Sequence, residues 1–392
     1  MKIQEAIRRA FQVGDIALSR YLFMRPPRSM PFLVCLVTFR CNLRCRMCDF
    51  WRTPAESTRD ELTTGEWLDI IDQGVALGAW SVSFTGGEPL LRRDLEDLIQ
   101  RARERCLSVH VCTNGVLLGP ERARSLAQAG VGSINVSVDS VEAAIHDDLR
   151  GRQTFHTVVA NIRALQTAAP TVRVGISCVV TRRNYRGLAR MVHLAKSLGV
   201  WNLRIAPLHT NLLHRHMDLS SFDGLLVGVE DLPGIEAEIR KILVQCARMG
   251  LHRNSRPFLR GIGRIARGRR AEGCVAGFAT ACVDPYGWVA PCPDMEGTEN
   301  VRDKPLTEIW RSGAFQRLRR RVLNCPHPCW DTSYAELSLR FRMRSTLADP
   351  RQFIGELRFY LPHRGDAEAA EKNGRIHHRD TEDTRRRREN RD

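Results

Sequence analysis

Apolar and polar positions along this chain follow two periods, one helical and one strand-like. In residues 3–24, Ile3, Ile7, Phe11, Leu18 and Leu22 fall at helical spacing with Arg8, Arg9 and Arg20 between them. That predicts an amphipathic helix, broken near Pro26-Pro27. Such a helix either packs on its own domain or lies on a membrane surface. Residues 31–39 form a short apolar, β-branched run, and similar runs recur at 81–85, 108–113, 133–139, 172–181 and 201–208. Helical patterns lie between them near 64–78, 92–105, 120–129, 154–168 and 186–198. Strands alternating with helices predict right-handed βαβ units and a parallel sheet, hence an α/β protein. The six strands are too few to close an eight-stranded barrel. Downstream, helical patterns recur at 233–249, 256–268 and 303–323 and continue to about 360. From His363 the chain is polar and charged without aromatic residues, a composition that predicts disorder.

Composition narrows the compartment more than the chemistry. The 392 residues suffice for one large or two medium domains. No stretch has the apolar length of a membrane span and the start lacks a signal peptide's apolar region, so a cytoplasmic protein is expected. The formal charge of +16 suits nucleic acid, anionic lipid or an acidic electron carrier as partner. Clustering of the 13 cysteines in a chain this large reads as metal ligation rather than disulfides. Cys35, Cys106, Cys112, Cys178 and Cys246 stand alone and are expected to act as small buried hydrophobes.

The candidate chemistry begins directly after the first strand, where Cys41, Cys45 and Cys48 are spaced Cys-x3-Cys-x2-Cys. Thiolates are soft ligands for iron–sulfur clusters, and three of them leave one iron of a four-iron cube without a protein ligand. Zinc would need a fourth ligand from a distant cysteine. In βα barrels the site gathers at the carboxyl ends of the strands. There the sequence places Thr85-Gly86-Gly87-Glu88-Pro89, then Thr113-Asn114-Gly115, then Ser137-Val138-Asp139, whose Ser137 and Asp139 share a face. Paired glycines allow close approach of backbone to a ligand. Arg150, in His146-Asp-Asp-Leu-Arg150-Gly151, reads from the residues alone as part of a surface ion pair. Ser177 and Val179 should point away from Cys178 and Val180, and Arg204 and Pro207 approach the end of the sixth strand. His209, His214 and His216 form a metal site or a solvated loop, and Arg267 to Arg270 form a basic patch. A second cysteine group closes the chain's chemistry: Cys274, then Cys292 on a hairpin turned by Asp284-Pro-Tyr-Gly287, then Cys325-Pro-His-Pro-Cys329. Four cysteines in two pairs bind zinc or a four-iron cluster, and Cys282 is an unassigned neighbour.

The cysteine loop, the GGEP block, the strand-end polar set and the terminal cysteines, in this order, resemble the radical S-adenosylmethionine (radical SAM) enzymes. Met47 departs from the aromatic residue common before the third cysteine. The resemblance covers about residues 31–330. It implies an open partial (β/α)6 TIM barrel and a [4Fe-4S] cluster on Cys41, Cys45 and Cys48 whose open iron is chelated by SAM. SAM would be held by Gly86, Gly87, Glu88, Asn114, Ser137, Asp139 and Arg150. Reductive cleavage would give a 5′-deoxyadenosyl radical that abstracts a substrate hydrogen. The final cysteines resemble the SPASM extension or its shorter twitch form, with one auxiliary [4Fe-4S] cluster on Cys274, Cys292, Cys325 and Cys329 favoured. The implied organisation is an N-terminal helix (1–30), the barrel (31–210), a helical connector (211–270), the auxiliary cluster domain (271–332), C-terminal helices (333–362) and the tail (363–392). Expected partners are a peptide or small-molecule substrate, reduced flavodoxin or ferredoxin as electron donor, and a membrane surface through the first helix. Nothing before residue 31 resembles a peptide-leader-binding domain, which favours a small or non-ribosomal substrate. An RNA-modifying enzyme and a non-enzymatic iron–sulfur carrier are the competing functions. No RNA-binding module with its aromatic signature is visible, so nucleic acid is disfavoured.

Overall fold

The computed structural model describes residues 3–48, 50–52, 60–209, 222, 224–269, 273–327 and 329–360. His214, His216, Arg270 and the charged tail lie outside the described residues. Six parallel strands carry the fold: β1 (Phe32–Thr38), β2 (Ser81–Gly86), β3 (Ser108–Thr113), β4 (Ser133–Ser137), β5 (Arg173–Val180) and β6 (Asn202–Pro207). They are neighbours in sequence order, each paired in parallel with the next. Helices α1 (Ile3–Leu18), α2 (Thr64–Ala76), α3 (Leu95–Glu104), α4 (Pro120–Ala129), α5 (Ala143–Arg150), α6 (Phe155–Ala168) and α7 (Arg190–Ser197) precede or connect them. Helix α2 starts where the sequence offers Thr63-x-x-Glu66: the Thr63 hydroxyl accepts from the Glu66 N–H, and the Glu66 carboxylate accepts from the Thr63 N–H.

Strand alternation separates two environments. Leu33, Cys35, Val37, Val82, Phe84, Val109, Val111, Ile134, Val136, Ile176, Cys178, Leu203 and Ile205 face the helices and form the core. The opposite face carries Ser83, Thr85, His110, Cys112, Asn135, Ser177 and Arg204, which line a chamber inside the barrel. Small and polar residues leave that interior unfilled, unlike the bulky layers that pack a closed barrel.

Beyond β6 come α8 (Leu232–Met249), the short β7 (His252–Arg253), which extends the sheet beside β6, and α9 (Arg256–Gly261). On the other edge, β8 (Thr280–Val283) pairs in parallel with β1. Strands β9 (Trp288–Ala290) and β10 (Glu299–Asn300) follow antiparallel, giving one ten-stranded sheet in the order β10-β9-β8-β1-β2-β3-β4-β5-β6-β7. The expected hairpin is therefore present and continues the barrel's own sheet. The single helix expected over 303–323 is two, α10 (Leu306–Ile309) and α11 (Gly313–Leu323). The second begins where the Ser312 hydroxyl accepts from the Phe315 N–H, so a new N-cap interrupts the pattern. Three short helices, α12 (Ala335–Arg340), α13 (Met343–Ala348) and α14 (Pro350–Tyr360), end the described chain. Among the lone cysteines, Cys35, Cys178 and Cys246 are core residues. Cys106 is exposed at positive φ in the turn after α3, because the chain reverses there before entering β3.

Candidate active site

The loop after β1 is fixed from three sides. Thr38 donates its hydroxyl to Glu61 (2.6 Å) and accepts from the Arg40 N–H (3.0 Å). From β2, the Gly87 N–H donates to Thr38 O (2.8 Å) and the Glu88 N–H to Arg40 O (2.7 Å). From the end of α5, the Leu149 carbonyl accepts from the Arg46 N–H (3.0 Å). These contacts explain the glycines. A Cβ on Gly87 would lie 2.2 Å from Arg40 O, and one on Gly86 2.3 Å from Thr38 O. Gly151, at positive φ, has the same relation to Arg44 O at 2.3 Å. The glycine pair, expected to let backbone approach a ligand, also lets two backbones of this chain close on each other.

A cavity of about 340 Å³ opens at the carboxyl ends of the strands. Cys41, Cys45 and Cys48 line it with Gly86, Gly87, Asn114, Ser137 and Arg150. Burial pushes the Cys41 thiol up to about 11 and Cys48 up to about 12. Free thiols here are therefore protonated, and a metal centre must displace those protons. The residues fit an iron–sulfur cluster. The Asn114 amide and the Arg150 guanidinium each place an N–H group 3.9 Å from a sulfur, Cys41 and Cys45 respectively. Such donors stabilise the negative charge of thiolate-bound clusters. The three sulfurs do not all lie within 4.8 Å of one another. Four thiolates around one zinc at ~2.3 Å would sit at a mutual spacing of about 3.8 Å, so a single zinc suits them poorly.

Glu88 and Asp139, expected among the SAM contacts, stand behind the cavity wall. The Glu88 carboxylate is fully buried and accepts from the Asn114 N–H (2.7 Å), the Thr113 hydroxyl (2.7 Å) and the Leu90 N–H (3.0 Å). Burial pushes its pKa up, and these hydrogen bonds oppose that. Asp139 forms an ion pair with Arg150, Nε to Oδ2 2.6 Å, and accepts from the Val179 N–H (2.9 Å). Burial works against the Arg150 charge, but Asp139 and Cys45 hold it, and its pKa rises. Burial, helped by Arg150, pulls His146 down to about 4, so its neutral Nδ1 accepts from the Asp139 N–H (3.2 Å). A chain of buried groups thus aims Asn114 and Arg150 at the cysteines. Glu88→Ala strands three buried donors and is expected to cost about 3 kcal/mol. A lowered midpoint in thermal unfolding of the reconstituted protein checks this, with Glu88→Gln losing less because its amide keeps one acceptor.

The second cysteine group draws together residues from three separate segments. Cys274 and Cys292 pack with Met295 against Ala276, Val322 and Tyr334. Cys292, Cys325 and Cys329 each interact electrostatically with Cys274. Burial pushes Cys274, Cys292 and Cys329 upward. Cys282 sits on β8 in an apolar cluster with Leu36, Phe39 and Phe50, against which Cys48 also packs. The hairpin touches the first loop directly: the Leu62 N–H donates to Pro285 O (2.6 Å) and the Tyr286 ring meets Phe39 edge-on at 5.6 Å.

Asp294 and Asp331 escaped the sequence reading. Asp294 and Cys329 bring their donor atoms within 4.8 Å of those of His209. His209 Nε2 accepts from the Trp330 N–H (3.3 Å), and both His209 and Asp331 line the main cavity. His209 was expected in a solvated loop or a metal site with His214 and His216, which lie outside the described residues; its described partners are Asp294, Cys329 and Trp330. Convergence of residues 209, 294 and 329 leaves no local spacing signal. Val179 and Pro207 also line this cavity, whereas Arg204 lies deeper, in the barrel chamber.

Residues 35–195 match the model of the radical SAM superfamily, and residues 274–331 match that of the SPASM iron–sulfur cluster-binding domain. The PqqA peptide cyclase of Granulibacter bethesdensis is 31% identical over 317 residues, covering 76% of this chain and 78% of that protein. The AdoMet-dependent heme synthase of Methanosarcina barkeri is 28% identical over 306 residues, covering 72% and 83%. Among solved structures, Streptococcus suis SuiB bound to its precursor peptide SuiA shares the fold with a TM-score of 0.59 at 16% identity, covering 80% of this chain and 70% of that one. With a relative at this identity matched over most of its length, the chain belongs to the radical SAM superfamily, as an enzyme whose carboxyl-terminal part is a SPASM-type iron–sulfur domain.

Proposed function

We propose that this radical SAM enzyme modifies a peptide by hydrogen abstraction. The observation that carries the reading is the similarity to PqqA peptide cyclases over most of their length. It favours a peptide over the small substrate suggested by the sequence before residue 31. A [4Fe-4S] cluster with S-adenosylmethionine supplies the hydrogen-abstracting chemistry when bound, leaving methionine and 5′-deoxyadenosine. Cys41, Cys45 and Cys48 hold that cluster. Gly86 and Gly87 offer backbone polar groups to SAM, while Asn114, Ser137 and Arg150 face it from the strand ends. Glu88 and Asp139 act through their neighbours, keeping Asn114 and Arg150 in place. Cys274, Cys292, Cys325 and Cys329 hold the auxiliary cluster and keep the hairpin against the first loop.

Substrate reaches hydrogen-transfer range through the barrel chamber, whose lining shares Thr85 and Cys112 with the cofactor cavity. The electron comes from reduced flavodoxin or ferredoxin, acidic partners for a chain of charge +16. Anaerobic turnover of the reconstituted enzyme with SAM and a short peptide encoded beside it tests the reading by mass spectrometry. The expected result is 5′-deoxyadenosine together with a peptide that has lost hydrogen. Consumption of a sugar or small metabolite, with the peptide unchanged, overturns the peptide assignment. In the same assay flavodoxin-driven turnover should slow as salt rises, and dithionite-driven turnover should not.

A further inference from the structure

Helix α1 buries one face and leaves the other open. Its inner face is anchored. Ile16 is fully buried with Val275, Phe278 and Ala279, the Arg9 guanidinium lies 4.7 Å from the Trp80 ring centre, and the Gln12 amide donates to Gly78 O. The helix continues into a turn at Ser19–Phe23, where Arg20 donates to Cys274 O and the Tyr21 hydroxyl to Gly273 O. The other face exposes Ile7 (50%), Phe11 (76%), Leu18 (43%) and Leu22 (69%), with Phe23 (62%) beside them. Spacings of four, seven and four put the first four on one helix face. Single exposed apolar residues are ordinary, but an aligned row of large ones marks a binding surface.

Charge identifies what covers this row. Residues 3–28 contain five arginines (8, 9, 20, 25 and 28) and two acids, Glu5 and Asp15. Asp15 is occupied within the chain, pairing with the Arg25 guanidinium and accepting from the Arg28 N–H. Arg8, next to Ile7, and Arg28, after the turn, are exposed. At the other end of the described chain, exposed Leu347 and Ile354 alternate with exposed Arg344 and Arg351. Both regions border one chamber. Val13 of α1 and Phe353 of α14 line it, with Phe32 and Trp80 from the amino ends of β1 and β2. The exposed apolar groups and arginines therefore lie toward the amino ends of β1 and β2, away from the loop of Cys41, Cys45 and Cys48, with the turn after α1 reaching the backbone of Cys274. Apolar side chains flanked by arginine and depleted of acid match an anionic phospholipid surface, where the hydrocarbon enters the interface and the guanidinium groups meet phosphate.

We propose that the outer face of α1, with the turn that follows it, docks the enzyme on anionic membranes. The barrel chamber of about 290 Å³, which Val13 of α1 helps to line, then lies beside the docked helix. The test is flotation of the reconstituted full chain with vesicles of phosphatidylcholine alone and of phosphatidylcholine with phosphatidylglycerol. Binding is expected only with phosphatidylglycerol. Phe11→Glu with Leu22→Glu is expected to weaken it by on the order of a hundredfold, and Arg28→Ala by about fivefold. Both glutamate positions are largely exposed; Phe11→Ser with Leu22→Ser repeats the test without added charge. Unchanged vesicle binding by both double variants overturns the proposal, because the basic body alone would then suffice. No binding by the unaltered chain also overturns it, as does a dimer in sedimentation velocity that only these variants dissolve.

Discussion

Replacing Cys41, Cys45 and Cys48 together with alanine is expected to abolish 5′-deoxyadenosine formation and remove one cluster's iron, roughly half of the total if two four-iron clusters are bound. No other cysteine can take over: Cys112 also lines the cavity, but a single thiol does not hold a cluster. Iron analysis and product quantification under reducing, anaerobic conditions check both effects. Undiminished 5′-deoxyadenosine from the triple variant would refute the assignment of this loop. The loop's architecture should survive the change, because Gly87, Glu88 and Leu149 hold its backbone rather than its thiols.

Single alanine substitutions at Cys274, Cys292, Cys325 and Cys329 form the second large expectation. Each should release the other half of the iron, roughly four atoms, while the first loop's cluster signal remains. Four thiolates saturate a cube, so this cluster should show no spectral response to added SAM. Zinc in place of iron would identify a structural ribbon instead. The variant at Cys329 carries extra information, since His209 and Asp294 place donor atoms within 4.8 Å of that sulfur. Iron retained only in Cys329→Ala would show that one of them replaces the thiolate. Loss of iron from both centres in every variant would mean that the two cysteine groups are not separate sites.

Strands β2 to β6 were legible because each alternates apolar with small or polar residues over at least five positions, as Ser81–Gly86 and Ser133–Ser137 do, and β1 because Phe32–Val37 is a continuous apolar run that ends at the cysteine loop. Strand β8 was legible as half of a hairpin but not as a partner of β1. Thr280–Val283 is buried on both faces, so it carries no alternation, and its pairing joins residues some 250 positions apart. The cysteines could be read directly because few other arrangements bring thiols to that spacing. Glu88 and Asp139 were legible as strand-end residues, but their protein partners were not. A carboxylate's direction depends on which backbone N–H groups surround it, and Asn114 N and Val179 N come from the next strands. His209, Asp294 and Asp331 lie too far apart in sequence for any pattern to join them.

The parallel pairing of β8 with β1 has a consequence for dissecting the molecule. Phe32, Leu33, Val34 and Cys35 hold β8 in register along the strand that leads into the cysteine loop. A chain cut before Thr280 would present that strand as a bare, apolar edge, a template for pairing with other copies. The barrel matched by the superfamily model is thus not a separable module here. Its first strand becomes an interior strand only when the last third of the polypeptide has been made.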